Sequence, residues 1–343
     1  MGTQKQRQMI IRSTAPLRLG LAGGGTDVSP YCDMFGGTVL NATINLSAYC
    51  TIEPLEEAVM AVDAADAGLT ESVPLGKPSG ALLIDGVANR IQRDFGPLPS
   101  GFSIKTWNDA PAGSGLGTSS TMVVTILKCF LEWLDIHPGK YELARLAYEI
   151  ERQDLGLSGG RQDQYAATFG GFNFMEFLPE DKVTVSSLDI KPEVIHELEA
   201  STLLYFTGRS RESAAIIDEQ KKATSSGKAD AIEAMHRIRK SAFQMRDVLL
   251  EGRLDAYAAI LGRAWEDKKK MARCINNSFI QEAFDTAMAA GAVSGKISGA
   301  GGGGFMMLFV PTERKNAVAN ALGALPGKMV PFYFTEKGVE SWK

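Results

Sequence analysis

The chain is poor in the residues that build metal cages and crosslinks. Its four cysteines, Cys32, Cys50, Cys129 and Cys274, form no CxxC pair, and its three histidines, His137, His196 and His236, are equally scattered. No zinc spacing is present, and such isolated thiols fit a reducing compartment. Long apolar runs are missing as well. Nothing approaches the ~18 uninterrupted apolar residues of a membrane span, and the opening MGTQKQRQMIIRS has no apolar stretch of signal-peptide length. A cytoplasmic protein with no membrane partner is expected. Neither charge sign is in large excess: 36 Lys+Arg against 40 Asp+Glu leave a net charge of −4, with no long basic run. General binding to a nucleic-acid backbone is thereby excluded, and any anionic ligand must be held by local groups. No period of about 20–50 residues recurs, which removes repeat architectures.

What is present is a foldable chain of more than one core. Hydrophobic residues make up 45% of the 343 positions and charged ones 22%, and the length exceeds the span of about 100–200 residues that one core usually serves. Glycine is abundant, with 36 residues, and it is clustered. Three groups stand out: Gly23, Gly24 and Gly25 in APLRLGLAGGGTD; Gly113, Gly115 and Gly117 in NDAPAGSGLGTSS; and Gly299 with Gly301 to Gly304 in KISGAGGGGF. Each is flanked by β-prone or helix-forming sequence, so they read as backbone cradles and not as linkers.

Short segments rich in β-branched, aromatic or long apolar residues predict strands over 38–46, 102–107, 172–177, 203–207 and 305–310. From Thr118 onward, Met122, Val123, Ile126, Leu127, Phe130, Leu131 and Leu134 recur at helical spacing. A second such face, Leu254, Tyr257, Ala258, Leu261 and Trp265, ends in the charge run Glu266 to Lys270, which reads as solvated. The order of elements predicts two α+β lobes, 1–200 and 201–343.

The central glycine cluster lies between a strand and the helix from Thr118, where amide N–H groups and the helix dipole favour an anion. Three readings compete. A Walker A loop fails because neither Gly113 nor Gly20 has a lysine at the required place. A dinucleotide fingerprint fits poorly: the third glycine comes one position early, Thr118 stands where it should be, and Glu132 or Asp135 would fall at the end of the helix. A glycine turn without a ligand remains open for this cluster alone.

Taken in order, the motifs Pro16xArg18xxLeu21xGly23, Thr26–Asp27, PAGSGLGTSS from Pro111 and KISGAGGGG from Lys296 resemble those of the GHMP small-molecule kinases, over a span from Ala15 to Gly304. The resemblance implies an N-terminal lobe like a ribosomal-protein S5 domain, a ferredoxin-like C-terminal lobe, and ATP with Mg²⁺ as cofactors. Within the superfamily, AGGGTD, GGRQDQYAATFGGFNFMEF, LYFTGRSRES and the final FTEKGVESWK resemble the bacterial D-glycero-D-manno-heptose 7-phosphate kinases, which phosphorylate an anomeric hydroxyl and feed nucleotide-activated heptose synthesis. L-fucose kinase-like proteins carry a similar first motif. Galactokinase differs there, with a Glu-His pair where Gly24 and Gly25 stand, so its sugar contacts do not transfer to those positions.

The resemblance implies roles for individual residues. Asp163 becomes the catalytic aspartate beside the attacking hydroxyl; read without the resemblance, it is equally a helix-entry cap for 164–169. Arg18 becomes the basic partner that holds Asp163 ionised or offsets charge on the transferred group. The cradle for ATP comprises Pro111, Gly113, Ser114, Gly115, Leu116, Gly117, Thr118, Ser119 and Ser120. Ser119 and Glu151 would hold the metal, whereas Glu151 alone reads as a helix-surface carboxylate paired with Arg152. Gly24, Gly25, Thr26 and Asp27 fall on the sugar, Asp27 as an acceptor of two hydroxyl donors. Ser298, Gly301 and Gly302 bring the third loop against phosphates or acceptor. For a terminal phosphate on the sugar, the nearest arginines are Arg161, Arg209 and Arg211. Trp107, Tyr165, Phe172 and Phe174 read as core or pocket lining. A homodimer and a non-catalytic nucleotide- and sugar-binding sensor both stay open, although the presence of Asp163, Arg18, Ser119 and Glu151 speaks against the sensor.

Overall fold

Strand β1 (Ile11–Ala22) is buried along almost its whole length, because helices cover one of its faces and the second half of the chain covers the other. The computed structural model describes residues 9–65, 67–208 and 213–343. Beside β1 runs β2 (Gly37–Leu55), 19 residues long and able to serve two neighbours on its other edge. Its first part, 37–42, pairs with β6 (Phe172–Phe177), while 48–55 pairs with β5 (Gly101–Asn108). The sheet continues through β3 (Val59–Ala64), parallel to β5, to β4 (Leu69–Pro74), and β7 (Val183–Ser187) extends the β6 side. Helices Leu82–Phe95 and Thr118–Trp133 pack on this sheet. The second of these is enclosed on nearly all sides, which is why Met122, Val123, Ile126, Leu127, Phe130 and Leu131 are all buried. Each such side chain contributes roughly 1.5–3 kcal/mol by leaving water.

A second, fully antiparallel sheet has the order β11 (Lys328–Met329), β8 (Thr202–Phe206), β10 (Phe305–Phe309), β9 (Ser294–Ile297). Helices Ala229–Leu250, Leu254–Lys268, Ser278–Ala290 and Lys315–Leu322 flank it. The predicted strands at 172–177 and 305–310 and the helices from Thr118 and Leu254 coincide with observed elements to within a residue or two. The tail does not stay with the second lobe. Phe334 bridges to Ile44, and β12 (Glu340–Trp342) joins the first sheet beside β1, so the stretch 201–343 contributes to both sheets.

One apolar cluster is common to the two sheets. Leu17, Leu19 and Leu21 of β1 pack in the same cluster as Met245, Leu249 and Leu261 of the second half and Phe305 of β10. Apolar contact therefore fixes the lobes against each other beside the glycine loops, and Arg18 and the Gly20 amide, between the buried leucines of β1, meet Ser298 at the start of the third loop. Among the described residues, no helix is long and apolar enough to cross a membrane.

Candidate active site

Beyond β5 the chain turns through the second glycine cluster, where Gly113, Gly115 and Gly117 take φ of 71°, 82° and 79°, values that side chains rarely tolerate. Helix Thr118–Trp133 then starts with no side-chain cap. Its first amides face a cleft of about 510 Å³ lined by all three glycine loops. Such an end attracts an anion through unpaired N–H groups and the helix dipole.

Backbone meets backbone where the third loop closes on the second. A Cβ on Gly115 would lie 2.4 Å from the Ser298 carbonyl oxygen, and one on Gly304 2.1 Å from that of Ser114. Phe305 N–H donates to the Ser114 carbonyl at 3.0 Å, and Ser298 Oγ donates to the Gly115 carbonyl at 3.0 Å. Glycine is required because the loops touch without side chains between them.

At the floor of the cleft the Arg18 guanidinium grips Asp163, with Nε and Nη2 each 2.7 Å from Oδ1. Arg18 also donates from Nη1 to the Gly115 carbonyl at 2.7 Å, tying the first strand to the second loop. Asp163 does not cap its helix, Gln162–Phe169. It sits in the first turn, with Arg161 at the cap position and no side-chain cap bond.

Glu151 lies on a π-helical turn, Ile150–Asp154, and is only 1% exposed, unlike an ordinary surface carboxylate. Its Oε1 accepts from Ser119 Oγ at 2.8 Å and its Oε2 from Gln164 Nε2 at 2.7 Å, while Arg152 stands 3.2 Å away. Ser119 and Glu151 thus present two hard oxygens at the wall of the cleft, a donor set that suits Mg²⁺ completed by phosphate and water. No cluster of three His, Cys, Asp or Glu able to cage a metal unaided occurs among the described residues.

Several expected contacts are redirected. Asp27 is buried and already accepts from the amides of Gly25, Arg161 and Gln162 and from Gln162 Nε2, at 3.0–3.3 Å. Its four lone-pair sites are in use, so a sugar hydroxyl would have to displace a protein donor. Thr26 is inside the loop, its hydroxyl bonded to the carbonyls of Gly23 and Thr38, whereas Gly25 lines the cleft and Gly24 lies beside Gln162 and Lys268. Arg161 turns away, to Asp33 at 3.3 Å and Asp181 at 2.7 Å, and its side chain is not part of the cleft wall. Arg209 and Arg211 lie outside the described residues. The third loop faces the cleft through Gly299 and Ala300. Gly301 packs on Ile275, and Gly302 is bonded to Ile275 and Asn277. Ser298 buttresses the loops instead of lining the cleft. In the second motif, Gly113, Gly115, Gly117, Thr118, Ser119 and Ser120 line the cleft, but Pro111, Ser114 and Leu116 do not; Leu116 is a core side chain. Trp107 is 56% exposed, while Tyr165, Phe172 and Phe174 are buried.

Two lysines were missed by sequence reasoning. Lys268, inside the supposedly solvated run, is 4% exposed and lines the cleft, with its Nζ bonded to the Gly299 carbonyl. The spacing 254, 257, 261, 265, 268 carried the signal, since it continues the apolar face. Burial and the nearby Arg18 push its ammonium down to about 8, with Asp27 partly offsetting them. Lys296, on β9, donates to the Gly20 carbonyl at 2.8 Å and is lowered further, by burial and by the neighbouring Lys268 and Arg18. Gln162 also went unnoticed: it lines the cleft, and its Oε1 is buried with no partner among the described residues.

Comparison with known proteins accounts for this architecture. Residues 82–171 match the model of the GHMP kinases N terminal domain, and 245–327 that of the GHMP kinases C terminal domain. The chain is 46% identical over 337 residues to a D-glycero-alpha-D-manno-heptose 7-phosphate kinase of Campylobacter jejuni, covering 97% of this chain and 99% of the relative. It superposes with a TM-score of 0.83 and 51% identity on the crystal structure of a D-glycero-D-manno-heptose 1-phosphate kinase from Bacteroides thetaiotaomicron, covering 97% and 99% of the two chains. A bifunctional fucokinase/GDP-fucose pyrophosphorylase of Arabidopsis thaliana is 29% identical over 88% of this chain but only 30% of its own length. With its paired lobes, three interlocked glycine loops and uncapped helix facing a carboxylate, the chain belongs to the GHMP kinases, ATP-dependent phosphotransferases acting on small molecules.

Proposed function

We propose that this protein is a cytoplasmic sugar kinase that moves the γ-phosphoryl group of ATP to the anomeric hydroxyl of a D-glycero-D-manno-heptose already carrying a 7-phosphate. The observation that carries the reading is the Arg18–Asp163 pair at the floor of the cleft, facing the uncapped start of helix Thr118–Trp133. The heptose is favoured by the name and near end-to-end likeness of the Campylobacter jejuni relative.

The amides after Gly113 cradle the triphosphate. Asp163, oriented by Arg18, accepts the proton of the sugar hydroxyl through Oδ2 as the hydroxyl oxygen bonds to the γ-phosphorus; the bond from that phosphorus to the β–γ bridging oxygen breaks, and ADP leaves. Ser119 and Glu151 would hold Mg²⁺, which supplies positive charge to the crowded phosphate oxygens. Gln162 lines the cleft, and its unpartnered Oε1 would accept a sugar hydroxyl on a small turn of the side chain toward the ligand. Asp27 anchors the amides of Arg161 and Gln162, and so the turn that carries Asp163.

The test is ADP release with heptose 7-phosphate, unphosphorylated heptose, L-fucose and galactose as acceptors, with phosphorus NMR on the product. Turnover confined to the 7-phosphate, with a new anomeric phosphate, supports the reading. Equal turnover of L-fucose or unphosphorylated heptose overturns the assignment of substrate, and nucleotide binding without turnover of any sugar favours the sensor.

A further inference from the structure

Lys268 ends helix Leu254–Lys268, yet its side chain runs inward, under the third glycine loop, to the wall of the cleft. One of its three N–H donors is taken by the Gly299 carbonyl. Its other two have no protein acceptor among the described residues, although the side chain is 4% exposed. Burying an ammonium with two donors unmet is costly unless a ligand completes it. The charged groups facing it come from every side: Arg18 of β1, Asp27 of the first loop and Lys296 of β9. Arg18 is committed to Asp163 and Gly115, and Lys296 to the Gly20 carbonyl outside the cleft lining. Arg152, further along the wall, is held by the Gly160 and Leu157 carbonyls and Ser120. Among the described residues, the cation left for an incoming anion beside Gly299 is Lys268.

We propose that the Lys268 ammonium contacts a non-bridging oxygen of the γ-phosphoryl group, offsetting its charge during transfer while the bond to Gly299 holds the third loop against the same group. This rests on the reading of the cleft as the kinase site. Asp163 handles the proton of the acceptor; Lys268 handles the charge on phosphorus, and neither replaces the other.

Because the free ammonium titrates near 8, a phosphoryl oxygen beside it should draw in a proton when it binds. Calorimetry at pH 8 in buffers of different ionisation enthalpy would compare ADP with an ATP analogue whose β–γ bridge cannot be cleaved. Wild type is expected to take up about half a proton more with the analogue than Lys268→Arg does, with no such difference for ADP. In the assay, Lys268→Met should lower kcat about 100-fold with the KM for ATP little changed, and Lys268→Arg should recover part of that loss. The alkaline fall of kcat/KM near pH 8 should disappear in Lys268→Arg, since a guanidinium does not titrate there. Proton uptake equal in wild type and Lys268→Arg, or a kcat for Lys268→Met within about threefold of wild type, overturns the proposal. Failure of the wild type to bind either nucleotide overturns the kinase reading itself, a separate outcome. Should Lys268→Met not fold, the calorimetry on Lys268→Arg decides.

Discussion

Two donors of Arg18, Nε and Nη2, converge on a single oxygen of Asp163, each 2.7 Å from Oδ1, and leave Oδ2 on the side of Gly117 and the cleft. A bidentate pair using both oxygens would bind more tightly, but this arrangement keeps one oxygen for a reacting hydroxyl. Asp163→Asn preserves shape and removes the base, so kcat should fall about 10²–10⁴-fold. Nucleotide affinity, read from the shift of the thermal transition by ADP, should stay near that of wild type. Turnover close to normal would remove Asp163 from the chemistry.

The second carboxylate is expected to act through metal. Glu151→Gln keeps the bond to Ser119 and loses a negative charge, so the Mg²⁺ concentration for half-maximal rate should rise by at least about tenfold. Saturating Mg²⁺ should restore most of the rate. A metal titration that superimposes on that of wild type would assign Glu151 to structure alone.

Asp27 holds the start of the helix that carries Asp163, through the amides of Arg161 and Gln162. An asparagine there brings an N–H₂ group into a ring of N–H donors. Asp27→Asn is expected to cost about 1–3 kcal/mol of stability and to reduce kcat more than it raises either KM. Denaturant melts combined with kinetics separate this positioning role from direct sugar binding, which would raise the acceptor KM first.

Gly115 serves where two loops touch. An alanine would combine φ of 82° with a Cβ 2.4 Å from the Ser298 carbonyl, so Gly115→Ala should destabilise by about 2 kcal/mol or more and weaken ATP binding. Gly139 has open space and an ordinary φ of −65° at the N-cap of helix Lys140–Glu149, so Gly139→Ala should cost only about 1 kcal/mol or less, through the poorer cap. Paired melts of the two variants check the contrast.

Lys268 should also mark the dependence of stability on pH. Its folded value, about 8, lies below the ordinary 10.5, so between those values the unfolded chain binds more protons and this group's contribution rises with pH. At pH 7 the buried charge is present in full, and replacing it with methionine should stabilise the fold by a few kcal/mol at most, on the order of the shift itself. The advantage of Lys268→Met should shrink as the pH climbs from about 8 to 10.5. An advantage independent of pH would mean that the amine is neutral at pH 7.

The sequence by itself determined the local elements and the chemistry of the loops. Strand Phe172–Phe177 and the helix from Thr118 follow from side-chain periodicity, and the glycine clusters follow from backbone conformations that few other residues adopt. Partners distant in the chain were decided only by the tertiary structure. Arg18 and Asp163 lie 145 positions apart, and the direction of a long side chain depends on what packs around its stem. That is why Arg161 turned to Asp33 and Asp181, why Asp27 was spent on backbone amides, and why β12 returned to the first sheet. The charge run by itself does not say which member faces inward; the helical period before it points to Lys268, and the packing of helix Leu254–Lys268 under the third loop buried that side chain and left Glu266 in water.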